Sequence, residues 1–325
     1  MKKALITGIA GQDGSYLAEF LLEKGYEVHG LVLELPNENN LQDFFRINHI
    51  FPQIILHQGD ITDTKRIREV IAEVKPDEIY DLAAIVDTLV SFDTEFNILH
   101  NNMSGVHNIL GAIKEYTPKA KFYFASSSLV FGNPAVSPQD ENTPKNPITP
   151  YGIAKTAGCN LVEMYREAYG IFACFGILFN HESPRRDSKF LPRKIIQAAA
   201  RIKKGLQQEL KLGDLDAMRD WGFAGDYVEA MWLMLQADKP DDYVIGTGEI
   251  HSVKDILDIA FKEVGLDWGK YVVVSDEFFR KEGDIPMVAD ISKIKNKLNW
   301  QPKTKIEELI KMMVREDIRI IEEEK

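Results

Sequence analysis

Short, dense apolar runs recur through the first half of the chain, and segments of helical period separate them. Ala4-Leu5-Ile6-Thr7, Val28 to Leu33, Ile54-Ile55-Leu56, Glu78 to Leu82, Lys121-Phe122-Tyr123-Phe124-Ala125 and Ile171 to Leu178 read as strands. Runs this continuous suit strands covered on both faces. Between them, Ser15 to Lys24 places Leu17, Phe20 and Leu21 on one side of a helix. A second helix, capped by Thr62 or Asp63, runs to Val74, and a third spans Asn101 to Tyr116. Strands alternating with helices predict an α/β fold built on a doubly wound parallel sheet.

After Leu178 the pattern changes. Tyr227 to Leu235 carries Met231, Trp232 and Met234 as core packing, and Asp290 to Leu298 and Lys305 to Ile321 predict closing helices. The expected organisation is a first domain over residues 1–178 and a smaller C-terminal α/β domain over 179–325, with a segment of about 222–250 returning to the first.

With 325 residues, 45% hydrophobic and 27% charged, the chain can bury a substantial core in one or two joined domains. A net charge of -11 argues against nucleic acid or an anionic membrane surface as the main partner. Cys159 and Cys174 have neither metal-type spacing nor disulfide density and are expected to be reduced thiols. The apolar run after Met1-Lys2-Lys3 breaks at Gly8, too early for a signal peptide. No stretch approaches the ~18 apolar residues of a membrane-spanning helix. A cytoplasmic protein is expected. The histidines are scattered without H-x-x-H spacing, so no metal site is expected.

Candidate chemistry begins at the N-terminus. Gly8, Gly11 and Gly14 follow the first strand at once, with Gln12 and Asp13 among them, and a helix comes next. That order is the dinucleotide-binding start of a Rossmann-like fold: the glycines allow a tight turn and close backbone approach, and the pyrophosphate sits on the helix N-terminus. Glu34, about twenty residues past Gly14, ends the second strand, where an acid accepts ribose hydroxyls and repels a 2′-phosphate. NAD is therefore favoured over NADP. Asp60 and Ile61 form a candidate adenine edge, and Leu82-Ala83-Ala84 supplies small residues against which a cofactor can lie.

The second focus is Ser126-Ser127-Ser128, where a buried strand runs into a hydroxyl-rich turn, and a helix start about twenty residues on that carries Tyr151 and Lys155. Four apart on a helix, Tyr151 and Lys155 share a face. Serine, tyrosine and lysine can then meet at the carboxyl end of a parallel sheet, where ligands bind. A tyrosine of pKa ~10 is a poor base at neutral pH. A neighbouring ammonium favours its phenolate, while the serine holds a substrate oxygen. The cluster suits hydride chemistry on an alcohol. Basic residues gather at Arg185-Arg186, Arg193-Lys194 and Arg219, which in an acidic chain points to a phosphorylated ligand.

This arrangement resembles the extended, nucleotide-sugar-modifying branch of the short-chain dehydrogenase/reductase superfamily. Three segments resemble the GDP-mannose 4,6-dehydratases in particular: Ile6 through Leu17, Gly176 through Arg186, and Arg219-Asp220-Trp221-Gly222 with Asp226-Tyr227-Val228. The resemblance implies an NAD(P)-dependent enzyme, a GDP-hexose substrate and a homodimer or homotetramer. It implies Ser127, Tyr151 and Lys155 at the chemistry, with Tyr151, Lys155, His181 and Arg186 against the cofactor. Ser128, Asn180, Lys194, Arg219 and Arg280 are implied near the nucleotide sugar.

Four departures from the resemblance matter. The position of Leu129 is a glutamate in the dehydratases, where it removes the C5 proton and assists loss of the C6 hydroxyl; leucine transfers no proton. The polar pair after the two alanines is here Ile85-Val86. The arginines that bind an NADP phosphate after strand two are absent. Residues 280–293 look more like UDP-sugar 4-epimerases. A GDP-hexose 4-dehydrogenase, 4-ketoreductase or 4-epimerase is therefore expected ahead of a true 4,6-dehydratase using another base, for which Asp87 is the nearby carboxylate. A catalytically idle nucleotide-sugar-binding protein is the remaining alternative.

Overall fold

The computed structural model describes residues 1–86, 92–275, 277 and 286–323. Asp87 and Arg280, both singled out above, lie outside the described residues. The first half alternates as expected: β1 (Lys3–Thr7), α1 (Gln12–Glu23), β2 (Glu27–Val32), β3 (Ile54–Gln58), α2 (Thr64–Val74), β4 (Glu78–Asp81), α3 (Phe92–Tyr116), β5 (Lys121–Ala125), α4 (Pro150–Tyr169) and β6 (Ala173–Leu178). The second half runs β7 (Asn180–Glu182), α5 (Leu191–Lys203), β8 (Leu210–Leu212), β9 (Met218–Arg219), β10 (Trp221–Phe223), α6 (Ala224–Gln236) and β11 (Tyr243–Ile245). It closes with β12 (His251–Ser252), α7 (Val253–Glu263), β13 (Val272–Val274), α8 (Ser292–Leu298) and α9 (Ile306–Glu323).

Local chemistry explains the boundaries. Asp63 caps α2 by accepting from the Arg66 amide at 3.0 Å, and the helix stops where Lys75 turns left-handed. Thr149 caps α4 through the Gly152 amide at 3.1 Å, Pro150 occupies the first turn, and Gly170 ends it at φ 66°. Helix α1 begins three residues before the expected Ser15, because Gly11 already serves as its N-cap. Helix α3 begins well before Asn101. Its added turns expose Phe96, so the apolar face that marks a helix in a sequence is weak there.

The main sheet has the order β11-β6-β5-β4-β1-β2-β3, with every pairing parallel. The chain winds outward from β1 to β3, then crosses to β4 on the other side of β1. A crevice therefore opens at the carboxyl ends of β1 and β4. One face is covered by α1 and α6, packing Leu17 and Leu21 with Met231 and Met234. The opposite core unites Ile67, Ile71, Ile109, Ile113 and Val162 from α2, α3 and α4. Each fully buried side chain of this size contributes about 1.5–3 kcal/mol relative to exposure. Ile294 of α8 and Trp300 also join the first of these cores.

A third core joins α5, α7 and α9 through Ile195, Ile256, Phe261, Leu309 and Met313. Between it and the sheet, β7 and β10 form a short parallel ribbon that aligns Asn180 with Trp221. No helix among the described residues is long and apolar enough to cross a membrane.

Candidate active site

The turn from β1 to α1 presses against the loop that follows β4. Gly8 has φ +70°, and a Cβ on it would lie 3.0 Å from the Ala83 backbone. A Cβ on Gly14 would lie 2.3 Å from the Gly8 carbonyl oxygen. Thr7 fixes the same contact from below. Its hydroxyl donates to Asp81 Oδ1 at 2.6 Å and accepts from the amides of Leu82 and Ala83 at 3.2 and 3.1 Å. Burial raises the Asp81 carboxyl to about 6, against the pull of the Thr7 hydrogen bond and of Lys155.

A cleft of 610 Å³ opens over this turn. Of the residues expected at a cofactor, Gly8, Gly11, Glu34, Asp60, Ile61, Ala83 and Ala84 line it. Asn40, Asp43, Phe44, Ile85 and Asn101 line it too, and among the described residues no lysine or arginine does. The shape and chemistry fit a dinucleotide: a Cβ on Gly8 or Gly14 would meet backbone, the N-cap Gly11 brings no side chain to cap α1, and Glu34, Asp43 and Asp60 are on the wall. Leu82, Gln12, Asp13, Gly14, Tyr151, Lys155, His181 and Arg186 are not on its wall.

The hydroxyl-rich turn leaves β5 beside that loop. Ser127 caps a 3-10 turn at Ser128–Phe131, its Oγ accepting from the Leu129 amide at 3.3 Å. Ser128 is buried, whereas Leu129 is 46% exposed. The turn packs on the start of α4, where a Cβ on Gly152 would lie 2.6 Å from the Leu129 carbonyl oxygen. Tyr151 and Lys155 rise from that first turn. Lys155 Nζ donates to the Ala125 carbonyl at 2.7 Å and lies 5.6 Å from the centre of the Tyr151 ring. Burial lowers the Lys155 ammonium to about 8, opposed by Asp81. Burial likewise pushes the Tyr151 hydroxyl well above its ordinary 10.0, and the cation that pulls it back is Arg186. Burial of Tyr151 thus opposes the phenolate that a neighbouring lysine favours. Desolvation outweighs the Arg186 charge, and Lys155 directs a hydrogen bond to the Ala125 carbonyl.

The basic segment after β6 folds onto α1. His181 Nε2 meets Asp13 Oδ2 at 2.8 Å, and its Nδ1 meets the Phe179 carbonyl at 2.8 Å. Gln12 bridges the Ser183 hydroxyl at 2.8 Å and the His181 carbonyl at 3.2 Å. Arg185 reaches Ser15 at 3.0 Å and Glu19 at 2.6 Å, while Arg186 Nε faces the buried Glu182 at 3.3 Å. Arg46 closes the network, donating to the carbonyls of Arg185 and Ala10 at 2.8 and 3.4 Å. Asn180 lies on β7, Lys194 on α5 and Arg219 on β9, all outside the cleft; Lys194 and Arg219 donate to the carbonyls of Lys211 and Met218.

The family profile described as GDP-mannose 4,6 dehydratase matches residues 5–313. The chain belongs to that family. GDP-mannose 4,6 dehydratase 1 of Arabidopsis thaliana is 48% identical over 336 residues, covering 100% of this chain and 92% of the relative. GDP-mannose 4,6 dehydratase of Homo sapiens is 44% identical over 345 residues, covering 98% and 92%. Among solved structures, UDP-glucose 4-epimerase of Thermotoga maritima with UDP-glucose superposes with a TM-score of 0.85 at 25% identity, covering 98% of this chain and 99% of that one. UDP-glucose 4-epimerase of Thermus thermophilus in complex with NAD gives 0.80 at 25% identity, covering 97% and 98%.

The chain is accordingly an NAD(P)-dependent enzyme of the extended short-chain dehydrogenase/reductase class. Leu129 is exposed beside Ser127 and does not serve the core. Arg46, Asn40, Asp43 and Phe44 escaped the sequence reading. They lie between β2 and β3, where short 3-10 turns at Leu41–Phe44 and Asn48–Gln53 have no period to detect.

Proposed function

We propose that this chain oxidises or reduces C4 of a GDP-linked hexose, with NAD as its cofactor. One observation carries the reading: Lys155 Nζ reaches the Ala125 carbonyl at the end of β5 and lies 5.6 Å from the Tyr151 ring, while Ser127 follows two residues after Ala125 with the exposed Leu129 beside it. Ser127 Oγ holds the C4 oxygen. Tyr151 exchanges a proton with that oxygen, as donor in the reducing direction and acceptor in the oxidising one. Lys155, anchored on the Ala125 carbonyl, keeps its ammonium under the Tyr151 ring, where it favours the phenolate each time the proton leaves. A bound nicotinamide supplies or accepts the hydride at C4.

Dehydration needs more. A proton must leave C5 and an acid must assist departure at C6, and losing such a group typically costs ~10²–10⁴-fold. Leu129 can do neither. The acid-lined cleft, without a lysine or arginine on its wall among the described residues, supports NAD over NADP. Lys194, Arg219 and Asn180 are the candidate partners of the GDP. A homodimer or homotetramer is supported by exposed Phe96 and Met103 on one side of α3 and by Ile153 and Met164 on one side of α4.

A true 4,6-dehydratase is the second reading, favoured by 48% identity to a protein of that name. Mass analysis separates the two. Purified protein is incubated with GDP-mannose and related GDP-hexoses in the presence of either cofactor. A 4-keto, reduced or epimerised sugar of unchanged carbon skeleton supports the proposal, and a product lighter by one water overturns it. Extraction of NADP as the resident nucleotide would overturn the cofactor assignment.

A further inference from the structure

Helix α3 backs two parts of the dinucleotide cleft that lie far apart in the chain. The loop after β3 brings Gly59, Asp60 and Ile61 to the cleft wall, and the loop after β4 brings Ala83, Ala84 and Ile85. A buried asparagine of α3 holds each loop. The Asn102 side chain grips the Ile85 amide and carbonyl at 2.9 and 3.1 Å. Asn108 Nδ2 donates to the carbonyls of Ile61 and Thr62 at 2.9 and 3.2 Å, and its Oδ1 accepts from the Thr64 hydroxyl at 2.9 Å. Between the two asparagines, a Cβ on Gly105 would lie 2.5 Å from Ile61 Cδ1. The helix thus meets the turn after β3 with a glycine and an amide three residues apart on one face.

Asn108 has one way to make these bonds. Two carbonyls can only accept, so the amide nitrogen must face them, and the Thr64 hydroxyl then meets the oxygen. The same turn aims a carboxylate. Asp60 Oδ1 accepts from the Thr62 amide and hydroxyl, both at 2.8 Å. The carboxylate on the cleft wall is therefore tied to a residue whose carbonyl Asn108 holds. An ionised carboxylate accepts hydrogen bonds and donates none. Turned to the base of a dinucleotide, it favours adenine, which offers an exocyclic amine, over hypoxanthine, which offers a carbonyl at that position. We propose that Asn108 is a positioning residue for the base of the cofactor, and that the cleft selects adenine through a turn held in place from α3. The role rests on the dinucleotide reading of the cleft given above, and the reaction at C4 does not enter it.

NADH and reduced nicotinamide hypoxanthine dinucleotide differ only in the base, and their dissociation constants for the full chain, followed by fluorescence, test the role. The parent should prefer NADH by at least ~5-fold. Asn108→Asp keeps the acceptor for Thr64 and turns an oxygen towards two carbonyls. It should weaken NADH binding at least ~10-fold and bring the preference below ~2-fold. Thr64→Val leaves both carbonyls their donor but frees the amide to turn. It should weaken NADH binding at least ~2-fold and lower the preference in the same sense, and it decides the matter if Asn108→Asp does not fold. Folded variants with unchanged constants would leave Asn108 a role in the fold alone and overturn the proposal. So would an equal loss of both dinucleotides with the preference intact. A parent that binds the two equally would place the base away from Asp60 and overturn it as well. If the parent binds neither of them, nor NADPH, the dinucleotide reading itself falls, and the proposal with it.

Discussion

His181 Nε2 and Asp13 Oδ2 meet at 2.8 Å, so the first turn of α1 is fastened to the strand that follows β6. The contact couples the dinucleotide turn to the segment that carries Asn180 and Arg186. It is also electrostatic. Burial alone would raise Asp13 and lower His181, yet each partner reverses the other: Asp13 lies below its ordinary 3.8 and His181 above its ordinary 6.5.

The sign of its pH dependence follows. Asp13 contributes stability above pH 3.8, lost as pH falls through its depressed folded value. His181 contributes below pH 6.5, lost as pH rises through its elevated folded value. Together they stabilise most between those two values. His181→Gln should cost on the order of 2 kcal/mol inside that window, and the gap to the parent should narrow on both sides of it. Thermal melts of both proteins across pH check this, and a gap independent of pH would show that the contact is not a charged pair.

Lys155 behaves in the opposite sense. Its folded value of about 8 lies below the ordinary 10.5, so the folded chain bears the full cost of a buried ammonium below pH 8, and that cost disappears by pH 10.5. Lys155→Met should therefore stabilise the protein at neutral pH by roughly 2 kcal/mol, the linkage of that shift less the lost hydrogen bond to Ala125. The advantage should fade as pH rises through 8 to 10.5. Activity should drop by at least ~10². A variant that is stable but inactive identifies Lys155 as a residue kept for function at the expense of stability. A destabilised one would mean that its contact with Asp81 outweighs desolvation.

How much of this was legible beforehand depended on whether a residue's role is local. Gly8 and Gly14 could be found because a tight turn demands glycine at fixed spacing. Tyr151 and Lys155 could be paired because a helix places residues four apart on one face. The Thr7–Asp81 bond, the Asn102 clamp and Arg46 join segments far apart in the chain, and no spacing announces them. The balance at Tyr151 is hidden for the same reason: proximity to a lysine can be read from spacing, but the burial that raises its hydroxyl comes from the assembled fold.

Glu34 offers a test of cofactor choice. It is exposed at the end of β2 on a cleft wall shared with Asp43 and Asp60. Glu34→Arg should move preference from NAD towards NADP by at least ~10-fold, since a guanidinium pairs with a 2′-phosphate where a carboxylate repels it. Dissociation constants for the two reduced cofactors, followed by fluorescence, measure the ratio directly. A ratio that does not move would place the adenosine ribose away from Glu34.

Leu129→Glu places a carboxylate in the Ser127 turn. Leu129 is exposed and contributes little to the core, so Leu129→Glu should change stability by no more than about 0.5 kcal/mol. The new side chain would stand next to Ser127 and on the turn that packs against the start of α4, where Tyr151 resides. A general acid–base contributes ~10²–10⁴-fold, so Leu129→Glu should form a product lighter by one water from GDP-mannose at least ~10² faster than the parent chain. Mass spectrometry of the nucleotide sugar decides it. If the folded variant forms no such product, Leu129 is not the sole barrier to dehydration, and the less polar Ile85-Val86 side of the pocket becomes the next position to exchange.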